Sequence, residues 1–207
     1  MTPAAVVFVV DDDPSIRKSL SRLISEAGYD VQAYASPREF LARQTTTGPS
    51  CLVLDVRMPG GTGLDLQQTL ARAVHEIPII FITGHGDIPM SVNAMKAGAV
   101  DFLTKPFAAK DLLDAIQRAV AKDTRDLGIE ARQEEIRARV KLLTPRESQV
   151  FALVVTGMLN KQIASELGVG EKTVKVHRAR VMEKMQARSV AALVRLADLA
   201  GIIVTKA

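Results

Sequence analysis

What most limits the possible folds of this chain is a recurring kind of apolar run. Val6–Val10, Leu52–Leu54, Pro78–Ile82 and Val100–Leu103 are short, rich in β-branched residues and apolar at consecutive positions. A strand that buries only one face alternates apolar with polar; these do not, so they predict strands covered on both sides, as in a parallel sheet. Asp30–Tyr34 is a weaker fifth run. Helical patterns separate them. Pro14 suits the first turn of a helix whose inner stripe is Ile16, Leu20, Leu23, Ile24 and Ala27, with Gly28 as its stop. Pro89, Met90, Met95 and Gly98 frame another, and Leu112, Leu113, Ile116 and Val120 stripe the last. Five β-α units of this length predict an α/β fold, a doubly wound five-stranded parallel sheet with helices on both faces.

The pattern then changes. Residues 122–141 are charge-rich and helix-favouring with sparse apolar positions (Leu127, Ile129, Ile136, Val140), and Gly128 interrupts them. They read as a solvated helical linker. From residue 142 onward only helical signals remain, which predicts a small all-α domain over 142–207 after a first domain over 1–121. Thr144-Pro145-Arg146-Glu147 is a capping box with proline at the first helical position. It opens a helix that ends at Gly157; Asn160–Leu167 follows, ended by Gly168, then a basic helix over Glu171–Met185 and a last one capped by Ser189.

Charge divides the same way. Residues 1–121 carry 11 Lys and Arg against 13 Asp and Glu, whereas residues 142–207 carry 10 against 5. A basic final third on an acidic body points to a polyanionic partner for that third alone. Several classes are excluded. No apolar run, Val150–Val155 included, approaches the length of a membrane span, so no membrane is expected. Residues 2–11 lack the features of a secretory signal, and the single cysteine, Cys51, can form neither an internal disulfide nor a cysteine-based metal site. Both indicate a reducing, cytoplasmic setting. With no tryptophan and 4% aromatic residues, a stacking platform for single strands is not expected.

Open α/β sheets place their sites beyond the carboxyl ends of the strands. Here the first strand delivers Asp11-Asp12-Asp13 to that edge, the third Asp55, the fourth Thr83-Gly84-His85, and the fifth is followed by Lys105-Pro106. Clustered carboxylates repel one another unless a cation sits among them, and oxygen-only ligands indicate a hard divalent ion, Mg²⁺ or Mn²⁺. A carboxylate facing a metal, a lysine and a hydroxyl is arranged to attack phosphorus, with metal and lysine neutralising the phosphoryl oxygens. Asp13 reads as a solvated turn residue.

These residues resemble the receiver domains of two-component response regulators. The resemblance spans about residues 4–121 and is carried by Val9-Val10-Asp11-Asp12, Leu54-Asp55-Val56-Arg57-Met58-Pro59-Gly60, Thr83-Gly84 and Phe102-Leu103-Thr104-Lys105-Pro106-Phe107. It implies a flavodoxin-like fold in which Asp55 accepts a phosphoryl group from a sensor histidine kinase. Asp12, Asp55 and the Arg57 carbonyl would bind Mg²⁺ directly, and Asp11 mostly through water. Lys105 and Thr83 would each hold a phosphoryl oxygen, and Phe102 would rotate inward as Thr83 moves. The Lys105–Pro106 bond would be cis. Arg57 and His85, each two residues beyond a site residue, would tune the lifetime of the phosphoryl group.

In the basic third, Ala164 and Gly168, with Ile163, Leu167, Val169 and Val174, have the spacing of a helix-turn-helix. Val174, Val181 and Met185 form the inner side of the following helix, with His177 half-buried beside them in a packing or phosphate role. Lys175, Val176 and Ala179 then face outward, where base edges are read, and Lys172, Thr173, Arg178 and Arg180 suit phosphates. Asn160, Lys161 and Gln162 open the preceding helix and suit phosphates too. Residues 141–200 are similar to the LuxR-type helix-turn-helix, through Leu143-Thr144-Pro145-Arg146-Glu147, Gly157, Asn160-Lys161-Gln162-Ile163-Ala164, Leu167-Gly168-Val169, Thr173-Val174-Lys175-Val176-His177 and Lys184-Met185. Together the two resemblances indicate the FixJ/NarL class of response regulators. They imply a DNA-binding transcription regulator, not an enzyme, whose partners are promoter duplex, a second copy on activation and RNA polymerase. Ala179 stands where some members carry a basic residue, which favours a thymine methyl contact. Two rivals remain: a DNA binder whose receiver-like domain is not phosphorylated, and a Mg²⁺-dependent phosphatase. The phosphatase needs a second acid two residues after its nucleophile, where this chain has Arg57.

Overall fold

The computed structural model describes residues 5–44, 46–59, 61–71, 76–84 and 88–202. The chain divides into two compact units, residues 1–127 and 128–207. In the first, β1 (Val6–Val10), β2 (Asp30–Tyr34), β3 (Ser50–Asp55), β4 (Ile79–Thr83) and β5 (Asp101–Thr104) form one sheet in the order β2-β1-β3-β4-β5, with every pairing parallel. The order reverses between β1 and β3, so the crevice beyond their carboxyl ends is the switch point of the sheet.

The pattern of consecutive apolar residues is explained by what covers each face. Val7, Val9, Cys51, Val53, Ile80 and Ile82 pack on α1 (Pro14–Glu26) and on α5 (Ala109–Lys141). Phe8, Val10, Leu52, Leu54 and Phe81 pack on α2 (Pro37–Leu41), α3 (Gly63–Leu70) and α4 (Ile88–Lys96). Each fully buried side chain of this size contributes about 1.5–3 kcal/mol. A two-residue antiparallel ladder, Arg57–Met58 with Gly61–Thr62, leads from β3 into α3. Asp13 is not a plain turn residue: its carboxylate accepts the Ser15 and Ile16 amides and caps α1. Gly28 ends that helix at φ +91°. At the amino end of β3, buried Asp123 accepts the amide of Ser50 at 2.7 Å.

The charge-rich segment read as a solvated helical linker is helical throughout. α5 runs 33 residues without a break, Gly128 included, and its later turns supply Ile136 and Val140 to the core of the second unit. That core is completed by α6 (Pro145–Val155), α7 (Asn160–Leu167), α8 (Glu171–Lys184) and α9 (Val190–Leu199). Thr144 and Glu147 form the expected capping box of α6, and Ser189 caps α9. Between α7 and α8, Gly168 takes the left-handed conformation at φ +63°, where any side chain would be strained.

Candidate functional sites

Strand register alone brings the first site together. Val10 pairs with Leu54, so Asp11 and Asp55 emerge side by side from β1 and β3. Thr83 pairs with Thr104 across β4 and β5, and the amide of Lys105 donates to the Thr83 carbonyl at 2.7 Å. The Lys105–Pro106 bond is cis. From there the Lys105 side chain reaches back over β4. Its Nζ donates to Asp11 Oδ2 at 2.7 Å and to Asp55 Oδ1 at 3.0 Å. Both carboxylates are largely buried, Asp11 at 1% and Asp55 at 6% exposure. The second Asp55 oxygen accepts the Arg57 amide at 2.9 Å, so the carboxylate is held in one orientation from both sides.

The charges do not balance. Two buried carboxylates share one ammonium. Burial, reinforced by the Asp11 charge, raises the pKa of Asp55 above the ordinary carboxylate value, although Lys105 and the Arg57 amide oppose it. Burial alone would lower Lys105, but its hydrogen bonds to the two acids outweigh this and hold its pKa up. The pocket is short of positive charge, and its donors are all oxygen. That fits a hard divalent cation that keeps most of its waters and needs only one or two carboxylates. Among the described residues, no three His, Cys, Asp or Glu side chains gather where they could hold a metal ion by themselves.

The other expected site residues fall as follows. Asp12 is exposed and makes no side-chain hydrogen bond or ion pair among the described residues. The Arg57 side chain is exposed as well. Thr83 is 1% exposed at the end of β4. Phe102 is half-buried, with its ring 6.2 Å from that of Phe81. His85 lies outside the described residues. Two contributors were not read from the sequence. Arg17, one turn into α1, donates to the Asp11 carbonyl at 2.7 Å; its spacing of four from the cap Asp13 was the available signal. Gly63 opens α3 so close to β3 that a Cβ there would lie 2.5 Å from the Asp55 carbonyl oxygen. Only glycine lets α3 start at that point, and no local pattern announces such a contact.

The second unit presents a different kind of site. On α8, Val174, Val181 and the adjoining Met185 are fully buried, while Lys172, Thr173, Lys175, Val176, Ala179 and Arg180 are exposed. Val176 is 47% exposed among them. Lys175 lies 3.6 Å from Glu171 one turn earlier, a solvent-exposed pair of little energetic weight. Arg178 is half-buried and donates to Asn160 Oδ1 at 2.7 Å, tying α8 to the start of α7. Lys161 is exposed, and Gln162 accepts the Leu159 amide at 2.7 Å. His177 is half-buried, its Nδ1 without a hydrogen-bond partner among the described residues. Lys184 is not part of this surface. It donates to Glu147 at 2.6 Å and to the Leu142 carbonyl at 3.0 Å, and this bond, with the Thr144 amide, pulls the pKa of Glu147 down to about 2.

Comparison with known proteins gives the same division. Residues 7–117 match the family model described as response regulator receiver domain, and residues 141–197 that of bacterial regulatory proteins, luxR family. Nodulation protein W of Bradyrhizobium diazoefficiens is 52% identical over 198 residues, covering 96% of this chain and 87% of that protein. Transcriptional regulatory protein FixJ of the same organism is 42% identical over 203 residues, covering 98% and 99%. Among solved structures, response regulator StyR aligns with a TM-score of 0.82 at 46% identity, covering 94% of this chain and 98% of that one. Full-length FixJ from B. japonicum aligns at 0.57 and 41%, covering 98% and 100%.

Proposed function

The chain belongs to the response regulators that join a receiver domain to a LuxR-type DNA-binding domain, and on that premise we propose that Asp55 is where it accepts a phosphoryl group from a sensor histidine kinase. The observation that carries this reading is the Lys105 ammonium shared between Asp11 and Asp55. A Asp55 oxygen forms the new bond to phosphorus as the bond to the donor imidazole breaks, and the leaving nitrogen keeps the electron pair. Lys105 then holds a phosphoryl oxygen, and the Thr83 hydroxyl holds another. The Arg57 amide keeps the carboxylate from turning away during the approach. Receiver domains bind Mg²⁺; here Asp11, Asp12 and Asp55 with the Arg57 carbonyl would hold it, and it would neutralise the phosphoryl oxygens. Phe102, packed on Phe81, is the proposed moving part.

Lys175, Val176 and Ala179 are proposed to meet base edges in the major groove. Lys172, Thr173, Arg178, Arg180, Asn160, Lys161 and Gln162 are proposed to meet phosphates. A module this small suits a two-fold dimer on half-sites about 34–36 Å apart. RNA polymerase is the proposed downstream partner, and the cytoplasm the proposed location; among the described residues no helix is long and apolar enough to cross a membrane. We do not propose substrate turnover: the position where an aspartyl-phosphate phosphatase needs its second acid is Arg57.

The test is intact mass after incubation with Mg²⁺ and acetyl phosphate, for wild type and Asp55→Asn. A gain of one phosphoryl group in wild type alone is expected. Equal gain in both would move the acceptor elsewhere. Failure of wild type with several donors and metals would favour a regulator that binds DNA independently of phosphorylation.

A further inference from the structure

Arg17 stands where its own helix does not favour it. It lies near the start of α1, the end at which the helix dipole opposes a cation. The side chain is half-buried, and its Nη1 donates to the Asp11 carbonyl at 2.7 Å. Asp12 and Asp13 follow that carbonyl in sequence, yet Arg17 pairs with neither carboxylate among the described residues. A guanidinium on a carboxylate would occupy oxygens that a cation needs; on the carbonyl it leaves them open. Asp11 is thereby held at three points. Lys105 takes one carboxylate oxygen, the Asp13 amide donates to the other at 2.9 Å, and Arg17 takes the main chain. Asp12 makes no side-chain bond among the described residues, so its direction follows from the backbone that leaves Asp11. Arg17 grips that peptide.

We propose that Arg17 is a positioning residue for the divalent cation: by fixing the Asp11–Asp12 peptide, it fixes the acids that would bind the ion. The inference rests on reading this pocket as the cation site for phosphoryl transfer at Asp55. Groups that orient a metal ligand commonly carry about 10–100-fold of metal affinity. The sign of the effect separates this role from plain charge. A guanidinium beside a cation site repels the ion, so if charge were its whole effect, removing it would tighten binding. If Arg17 holds the peptide, removing it loosens binding, and a donor of similar reach restores it.

The test titrates the full, metal-stripped chain with Mn²⁺ and reads the free ion by electron paramagnetic resonance, with no phosphodonor present. Arg17→Met and Arg17→Ala, which lack the donor, should bind Mn²⁺ about tenfold more weakly than wild type. Arg17→Lys should recover most of the loss. Cooperative thermal unfolding in EDTA identifies the folded variants, and either donor-free variant that folds decides the outcome. With acetyl phosphate, that variant should take up phosphoryl slowly at limiting Mg²⁺ and approach the wild-type rate as Mg²⁺ saturates. Unchanged or tighter Mn²⁺ binding without the donor overturns the proposal, as does a lysine variant no better than the donor-free ones. A rate deficit that persists undiminished at saturating Mg²⁺ also overturns it and places Arg17 in the transfer step itself. No Mn²⁺ binding by wild type overturns it together with the cation site. If wild type binds Mn²⁺ and the donor-free variants lose it, but no phosphoryl group is taken up, the proposal stands and only the reading of Asp55 falls.

Discussion

The two units of this molecule assemble function in opposite ways. In the first, candidate residues come from four strands far apart in sequence, and they satisfy one another: Lys105 closes on Asp11 and Asp55 across the sheet edge. In the second, most of the candidates lie on one helix and are exposed, and their few contacts, such as Arg178 with Asn160, brace the surface without closing it. A chemical site needs groups held against each other before the reactant arrives. A recognition surface needs groups left open for the partner. Within the first site the ionisation of Asp55 and Lys105 is perturbed, whereas in the second unit the shifted group is Glu147, which binds Lys184 at the end of α8 and is no part of the recognition surface.

If that contrast is right, substitutions in the two units should fail differently. The largest effect is expected for Lys105→Ala. It should slow phosphoryl incorporation by about 10²–10³-fold, the usual cost of losing one charge-stabilising donor, with duplex binding by the unphosphorylated protein unchanged. Incorporation timed by intact mass decides this; an undiminished rate would mean the self-satisfied cluster is only structural. Next, Lys175→Ala should cost about 1–3 kcal/mol of operator affinity and relax specificity, whereas Lys172→Ala should weaken all sequences alike and reduce the salt slope by about one. Duplex titrations across salt concentrations separate the two, and both variants should take up phosphoryl normally.

A third test concerns the brace. Glu147 is held well below the ordinary glutamate value of 4.5, at about 2, chiefly by Lys184. The stability it supplies is therefore present above the unfolded value and lost as pH falls from 4.5 to about 2. Glu147→Gln should flatten acid unfolding over that interval, as followed by the helical signal of the second unit. Smallest, Arg57→Ala should alter the decay of the phosphorylated form by only a few-fold and leave its formation intact, because the Asp55 contact comes from the backbone of residue 57 and not from its exposed side chain. A decay rate identical to wild type would remove Arg57 from any tuning role.

Much of this was legible in the sequence because it rests on periodicity. Runs such as Val6–Val10 and Ile79–Thr83, buried on both faces, announce a parallel sheet, and the rule that sites lie beyond strand ends then gathers Asp11, Asp55, Thr83 and Lys105 before any coordinates. The outward face of α8 follows from helical spacing around Val174 and Val181. What escaped was set by distance and not by pattern. Nothing near Gly63 signals that its α-carbon must pass the Asp55 carbonyl. Asn160 and Arg178, each read as a DNA contact, are also partners of each other across 18 residues. Gly128 suggested a break, yet a single exposed glycine costs a helix only about 1 kcal/mol, which the surrounding turns absorb.

That unbroken helix bears on how the protein can be taken apart. The boundary suggested by composition, at residue 142, would leave Ile136 on the wrong side of the cut, although Ile136 is 1% exposed in the core of the second unit. A fragment beginning there would lack a side chain whose truncation alone costs about 2–5 kcal/mol, a large share of what holds a small domain together. Such a piece could fail to bind DNA simply because it is missing part of its own interior, and that failure would be mistaken for a requirement for the receiver. A fragment meant to report on recognition alone should begin upstream of Arg132, inside the helix.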